Sequence, residues 1–128
     1  MKLLLDTHAL VWWLENSPKL GQAARKAIFE ETNDVFVSAV SAIEVSTKHR
    51  LGKWPEVENL AQNFEAYVAD EGFQELPISF AHALLAGSLR IDHKDPFDRL
   101  LLAQTQIENI VLVSNEEKFD SFGVRRIW

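Results

Sequence analysis

Three short, unbroken apolar runs, Leu3–Leu5, Val35–Val37 and Ile110–Val113, constrain this chain more than any other feature. They are continuous rather than alternating and rich in branched side chains. Such runs suit strands covered on both faces, as in a parallel sheet packed between helices. The stretches between them supply the helices: residues 20–30, 39–51, 57–70, 80–90 and 97–108 place apolar residues at spacings of three and four. Pro18, Gly52-Lys53-Trp54-Pro55, Gly72, Pro77 and Asp95-Pro96 punctuate them. A fourth strand is expected near Phe73–Pro77 and a fifth at Val124–Ile127. Strands alternating with helices predict an α/β sandwich around a parallel sheet. No repeat, low-complexity tract or linker interrupts the pattern, so residues 1–128 are expected to form one domain.

Composition narrows the class. Hydrophobic residues at 47% and charged residues at 25% match a globular protein and exclude disorder, collagen and coiled coil. No apolar run approaches the roughly 20 residues that span a bilayer. The Leu3–Leu5 run is stopped at once by Asp6, so it does not read as a signal-peptide core. The absence of cysteine removes disulfides, thiolate zinc sites and cysteine nucleophiles together. A reducing cytosol is the expected compartment. The net charge of −6 argues against nucleic acid as a partner, unless several acids are gathered in one metal site.

The residues that follow each buried strand are the functional signal. Leu5 is followed by Asp6-Thr7, Val37 by Ser38 and a helix carrying Glu44, and Val113 by Ser114-Asn115-Glu116-Glu117. Ligands of open α/β sheets bind outside the carboxyl ends of the strands, so these clusters converge on one crevice. Each acid also has a plain structural role. Asp6 fits an N-cap for a helix starting near Thr7. Glu44 fits a helix ion pair with Lys48, four residues on. In His93-Lys94-Asp95-Pro96-Phe97-Asp98-Arg99, Asp95 caps a helix with Pro96 at its first position, and Asp98 sits in its first turn. Ser38 and Ser41 fit either caps or holders of a phosphate.

Taken together, Asp6, Glu44, Asp98 and one of Glu116 and Glu117 would have to reach the same sheet edge by accident. Two carboxylates about 4 Å apart repel by roughly 4 kcal/mol at an effective dielectric of about 20, so a cluster of four shifts its protonation or binds cations. Oxygen ligands select hard ions, Mg²⁺ or Mn²⁺. Such ions suit phosphodiester hydrolysis, where they activate water and stabilise the attacking and leaving oxygens. Setting four acids aside takes the net charge from −6 to −2, which no longer argues against RNA. Lys48, Arg50 and Lys53 beside Glu44, with Arg90, Lys94 and Arg99 beside Asp98, could hold phosphates. His8 and His49 lack metal-ligand spacing and read as structural. Trp12 and Trp13, with Leu10 and Leu14, exceed what one buried helix face needs, so they fit either core or a partner surface.

With these residues in place, the chain resembles a PIN domain of the kind found in VapC-type ribonuclease toxins of type II toxin–antitoxin pairs. The resemblance runs through LLLDTHALVWWL, VSAVSAIEVSTKHRLGK, HKDPFDRLLLAQ and LVSNEEKFDSFGVRRIW, in that order. It implies a three-layer α/β/α fold, a central parallel sheet, and a Mg²⁺- or Mn²⁺-dependent endoribonuclease acting on single strands. It carries the metal-binding acids over to Asp6, Glu44 and Asp98, with Asp95 beside them. The family's fourth acid, usually Asp, falls on Glu116, a methylene longer, which could act through water. Ser114 stands where the family often has Thr and could support a metal-bound water. The resemblance further implies a homodimer, a VapB-like antitoxin and a structured RNA substrate such as a tRNA or an rRNA loop. On this reading Trp12 and Trp13 belong to the groove that the antitoxin covers.

Two other readings stay open on the residues alone. A PIN-like binding module with a decayed site is suggested by Glu116. A phosphoacceptor receiver domain would also place acids at strand ends, but it needs paired acids after its first strand and an Asp after its third. Here Asp6 is followed by Thr7-His8, and Gln74–Pro77 holds no Asp.

Overall fold

The computed structural model describes all 128 residues. Five strands, β1 (Lys2–Leu5), β2 (Asp34–Ser38), β3 (Gln74–Leu76), β4 (Val111–Val113) and β5 (Arg126–Ile127), form one parallel sheet in the order β3-β2-β1-β4-β5. Seven helices connect them: α1 (Thr7–Leu14), α2 (Gln22–Phe29), α3 (Ala39–Arg50), α4 (Glu58–Gln62), α5 (Phe64–Asp70), α6 (Phe80–Ser88) and α7 (Pro96–Glu108). The order differs from the 2-1-3-4-5 arrangement of receiver-type sheets, which removes that reading.

The continuous apolar runs are explained by the two cores they separate. Leu3, Leu5, Val35, Val37, Val111 and Val113 point to one face, covered by α1, α2, α4 and α5 through Leu10, Ile28, Leu60 and Val68. Leu4, Leu76 and Leu112 point to the other, covered by Leu101 and Leu102 of α7. Helix α6 lies against α7, and α3 contributes Val45 to the first core and Val40 to the second. The fold is thus the expected α/β/α sandwich.

Register positions the site. Leu5 pairs with both Val37 and Val113, so the three central strands reach the carboxyl edge in register, β2 going one residue further to Ser38. Asp6, Ser38 and Ser114 therefore leave the sheet side by side. Between β1 and β4 the strand order reverses, the switch point at which such sheets bind ligands.

Some expectations need correction. The helix expected over 57–70 is two helices behind a 3₁₀ turn at Pro55–Val57, with a break at Asn63, whose backbone is non-helical and whose side chain donates to the Asn59 carbonyl. An Asn amide that competes for backbone groups explains the interruption. Strand β4 starts at Val111, because the Ile110 N–H closes α7 by donating to the Thr105 carbonyl after Asn109 turns left-handed. Strand β5 holds only Arg126 and Ile127, following a left-handed turn at Gly123.

Arg99 is also placed differently. Its guanidinium does not face the crevice but donates to the carbonyls of Ala86, Leu89, Ile91 and His93. These four bonds tie the α6–α7 connection to the first turn of α7. Lysine cannot reproduce a planar fork of donors. Arg99→Lys is expected to lower unfolding stability by about 2–4 kcal/mol in urea titrations and to open residues 89–95 to proteolysis.

Candidate active site

Asp6 is the most deeply placed acid. It is 6% exposed, and its Oδ1 caps α1 by accepting the Ala9 N–H at 2.8 Å. Its own N–H donates to the Val113 carbonyl at 3.0 Å, extending the β1–β4 pairing by one residue and bringing Ser114 alongside. Burial pushes its pKa up to about 6; the Ser114 hydroxyl and the Ala9 N–H oppose this, while the charges of Glu116 and Glu44 reinforce it. The cap and the site role are compatible, because the cap uses one oxygen.

Glu44 comes from α3 and is held at both oxygens. Thr7 Oγ1 lies 2.6 Å from Oε1, and Lys48 Nζ lies 2.9 Å from Oε2. Ser41 Oγ lies 3.0 Å from Thr7 Oγ1. A hydroxyl carries one proton and a carboxylate only accepts, so Ser41 donates to Thr7 and Thr7 donates to Glu44. Ser41 is fully buried in this relay, and Ser38 is buried between the Val40 N–H and the Gln104 amide oxygen. Neither serine is free to hold a phosphate.

Asp98 stands in the first turn of α7, where its Oδ2 accepts from His93 Nε2 at 2.8 Å and from Lys118 Nζ at 3.2 Å. Lys118 also lies 3.9 Å from Glu116 Oε2, so one ammonium bridges the two acids. Desolvation opposes the charge on Lys118, but the hydrogen bond to Asp98 and the charges of Asp98 and Glu116 raise its pKa. Glu116 is 49% exposed at its side chain, and its N–H donates to Ser114 Oγ. Asp95 is exposed and spends Oδ1 on the N–H groups of Phe97 and Asp98, which makes it the cap of α7.

Sequence reasoning passed over His93 and Lys118. His93 lay within a quoted segment without a role, and only the loop's return to the first turn of α7 puts its ring on Asp98. Lys118 follows Glu116 by two residues, a spacing with no meaning until the 3₁₀ turn Glu117–Phe122 folds back. Trp13 was grouped with Trp12, but its indole N–H donates to Glu71 and its ring lies against Phe73, on a different side of α1.

The donor set, four carboxylates with the Thr7 and Ser114 hydroxyls, is all oxygen and fits a hard divalent cation. As the side chains stand, no three acids or imidazoles converge closely enough to grip one. Lys48 and Lys118 supply the countercharge instead, and His93 adds a hydrogen bond to Asp98. The largest apolar cavity, about 390 Å³ and lined by Val37, Phe64, Val68 and Phe73, is separate from this cluster.

Asp6 carries a stability cost with a definite sign. Its folded pKa lies above the ordinary value of 3.8, so stability falls as pH rises from about 4 to about 6, by up to about 3 kcal/mol. Asp6→Asn keeps the cap and removes the buried charge. Without divalent ions, the variant is expected to melt above the unsubstituted chain at pH 7, with the difference vanishing below about pH 4. Equal melting temperatures at pH 7 would contradict the placement.

No curated protein matches the chain in sequence. Among solved structures, it is similar in fold to the VapBC2 complex of Rickettsia felis bound to a DNA fragment from its promoter, with a TM-score of 0.71 at 17% identity, covering 99% of this chain and 98% of that one. It is similar to FitAcB of Neisseria gonorrhoeae, with a TM-score of 0.69 at 17% identity over 98% of this chain and 96% of that one. It is also similar to VapBC-1 of nontypeable Haemophilus influenzae, with a TM-score of 0.67 at 19% identity over 99% and 97%. At such identities the likeness is one of fold. The PIN domain family itself matches residues 3–124, and with the in-register strand ends and their acids this chain belongs to that family.

Proposed function

We propose that this chain is a VapC-type toxin, a Mg²⁺- or Mn²⁺-dependent endoribonuclease that cleaves single-stranded RNA and is restrained by a VapB-like antitoxin. The observation that carries the reading is Asp6: a buried carboxylate at the switch point whose pKa is pushed up to about 6, in part by two further acids from separate elements. PIN domains are typically nucleases, and the neighbours of similar fold are toxin–antitoxin complexes. These support the partner and a homodimer. No helix is long and apolar enough to cross a membrane; the proposed site of action, where the RNA is, is the cytoplasm. A tRNA or an rRNA loop is the proposed substrate.

Asp6, Glu44 and Asp98 would hold the cation, with Glu116 reaching it directly or through water. Such an ion supplies Lewis-acid stabilisation of charge at the scissile phosphate. The chain's own residues orient the site. Thr7 fixes the Glu44 carboxylate through the Ser41 relay, and His93 fixes Asp98. Lys48 and Lys118 are the cations placed to meet phosphate oxygens once the acids they pair with turn to the ion.

A second reading, a PIN-like binding module without catalysis, draws on one observation: Lys118 already bridges Asp98 and Glu116, in the space between the acids. The two readings are separated by inducing the protein in cells and sequencing total RNA for new 5′ ends. Growth arrest with discrete cuts, both lost in Asp6→Asn and Asp98→Asn, is expected; cleavage should drop by at least about 100-fold. Arrest without cuts, or no arrest from folded protein, favours the binding module. Cleavage in vitro at a limiting Mn²⁺ concentration is expected to decline as pH falls, because protonation of Asp6, whose pKa without the ion is about 6, competes with metal binding; added Mn²⁺ should shift the decline to lower pH. Glu116→Gln should cost less than Asp6→Asn. Lys118→Met, which removes a competing cation, should tighten Mn²⁺ binding in calorimetry.

A further inference from the structure

A second feature shares the carboxyl edge of the sheet with the acids and has no part in holding a metal. The His8 ring lies 4.8 Å from the Trp54 ring at an interplanar angle of 32°, and 5.2 Å from the Trp12 ring at 53°. Trp12 in turn meets Trp128 edge-on at 5.7 Å. The four rings come from three separate places: α1, the turn before Pro55, and the residue after β5. All four are partly exposed. The inner edges of the three indoles pack on the core beneath β1, so the rings are held in place before any ligand arrives. Trp128 is seated by Gly21: a Cβ there would lie 2.5 Å from the Trp128 carbonyl carbon.

Two cations accompany the rings. Lys19 Nζ stands 6.0 Å from the centre of the Trp12 ring, and Lys48 Nζ stands 5.3 Å from that of Trp54. Lys48 is the same ammonium that contacts Glu44 at 2.9 Å. The aromatic group therefore begins where the acid cluster ends. His8 follows Thr7, the residue that orients Glu44, and is partly buried.

We propose that His8, Trp12, Trp54 and Trp128 form a stacking platform for unpaired bases flanking the scissile phosphate, with Lys48 and Lys19 meeting the adjoining backbone. This rests on the reading of the chain as a ribonuclease and adds to it the means by which single strands are selected. Partly exposed rings interleaved with lysines are what single-stranded nucleic acid requires, because every base has a face to stack and every linkage a charge to neutralise. A duplex offers the charges but not the faces, as its bases are already stacked on one another. Continuity through Lys48 favours nucleic acid over a protein partner as the occupant. The platform also relieves the electrostatic objection to an acidic chain binding RNA, since stacking is insensitive to net charge.

The test uses the full chain carrying Asp6→Asn, so that RNA stays intact. A short single-stranded RNA of random sequence containing 5-iodouridine is bound and irradiated, and the crosslinked peptides are mapped by mass spectrometry. Crosslinks at His8, Trp12, Trp54 or Trp128 are expected; crosslinks confined to other peptides overturn the platform. In the same background, Trp54→Leu should weaken binding of that RNA by about tenfold, as one lost stacked base does. Trp54→Tyr should restore most of it, and binding of the matching duplex should change little. Unchanged single-strand affinity in a folded Trp54→Leu protein overturns the proposal, and so does loss of a protein partner's binding with RNA affinity intact. If the unsubstituted chain cleaves RNA while Trp54→Leu neither binds nor cleaves differently, the platform fails and the nuclease stands. If the unsubstituted chain neither binds nor cleaves RNA, both fail together.

Discussion

The in-register parallel pairing of β1 with β2 and β4 is the constraint on which everything else depends. Leu5 stands opposite Val37 and Val113 at once, and the hydrogen bond from the Asp6 N–H to the Val113 carbonyl extends the pairing by one residue. A slip of one residue would exchange the faces of Leu3, Leu4 and Leu5, each fully buried at about 2 kcal/mol apiece. The same slip would separate Asp6 from Ser114. Hydrophobic register thus sets the position of the polar groups more tightly than any interaction among the polar groups themselves.

Against that scaffold the acids oppose one another and are quieted locally. Glu44 is held by Thr7 and Lys48, Asp98 by His93 and Lys118, and Asp6 by two hydrogen-bond donors and a raised pKa. No buried side-chain polar atom is left without a partner. The site is therefore at rest in two respects: its buried hydrogen bonds are complete, and two ammonium groups offset part of its charge. A cation entering it must compete with Lys118 and Lys48, so affinity reflects a difference between two electrostatic arrangements rather than the pull of bare carboxylates.

Architecture and strand ends were legible because they follow from periodicity. Continuous branched runs marked Leu3–Leu5, Val35–Val37 and Ile110–Val113 as doubly covered strands, and the residues after the first and third named Asp6, Thr7 and Ser114 as neighbours. What escaped was set by side-chain reach across sequence. Arg99 read as a phosphate holder from its proximity to Asp98, but four backbone carbonyls absorb its donors. His93 and Lys118 gain their roles only when two loops close on Asp98. Asn63 breaks a helix that apolar spacing alone would continue, and Trp13 parts from Trp12 because adjacent helix positions face about 100° apart. Asn63 apart, the pattern placed the helices and left open where a long polar or aromatic side chain would find its partner.

The pairing of β1 with β4 has a further meaning for a chain made from its first residue onward. Asp6 is made well before its neighbours Ser114 and Glu116, which follow a strand at residues 111–113. Until that strand has left the ribosome, β1 has an open edge and Asp6 lacks two of the groups that surround it. A nascent chain carries most of its helices and three of its five strands before the acids can meet. The competent site thus appears late and all at once, when β4 closes the open edge of β1.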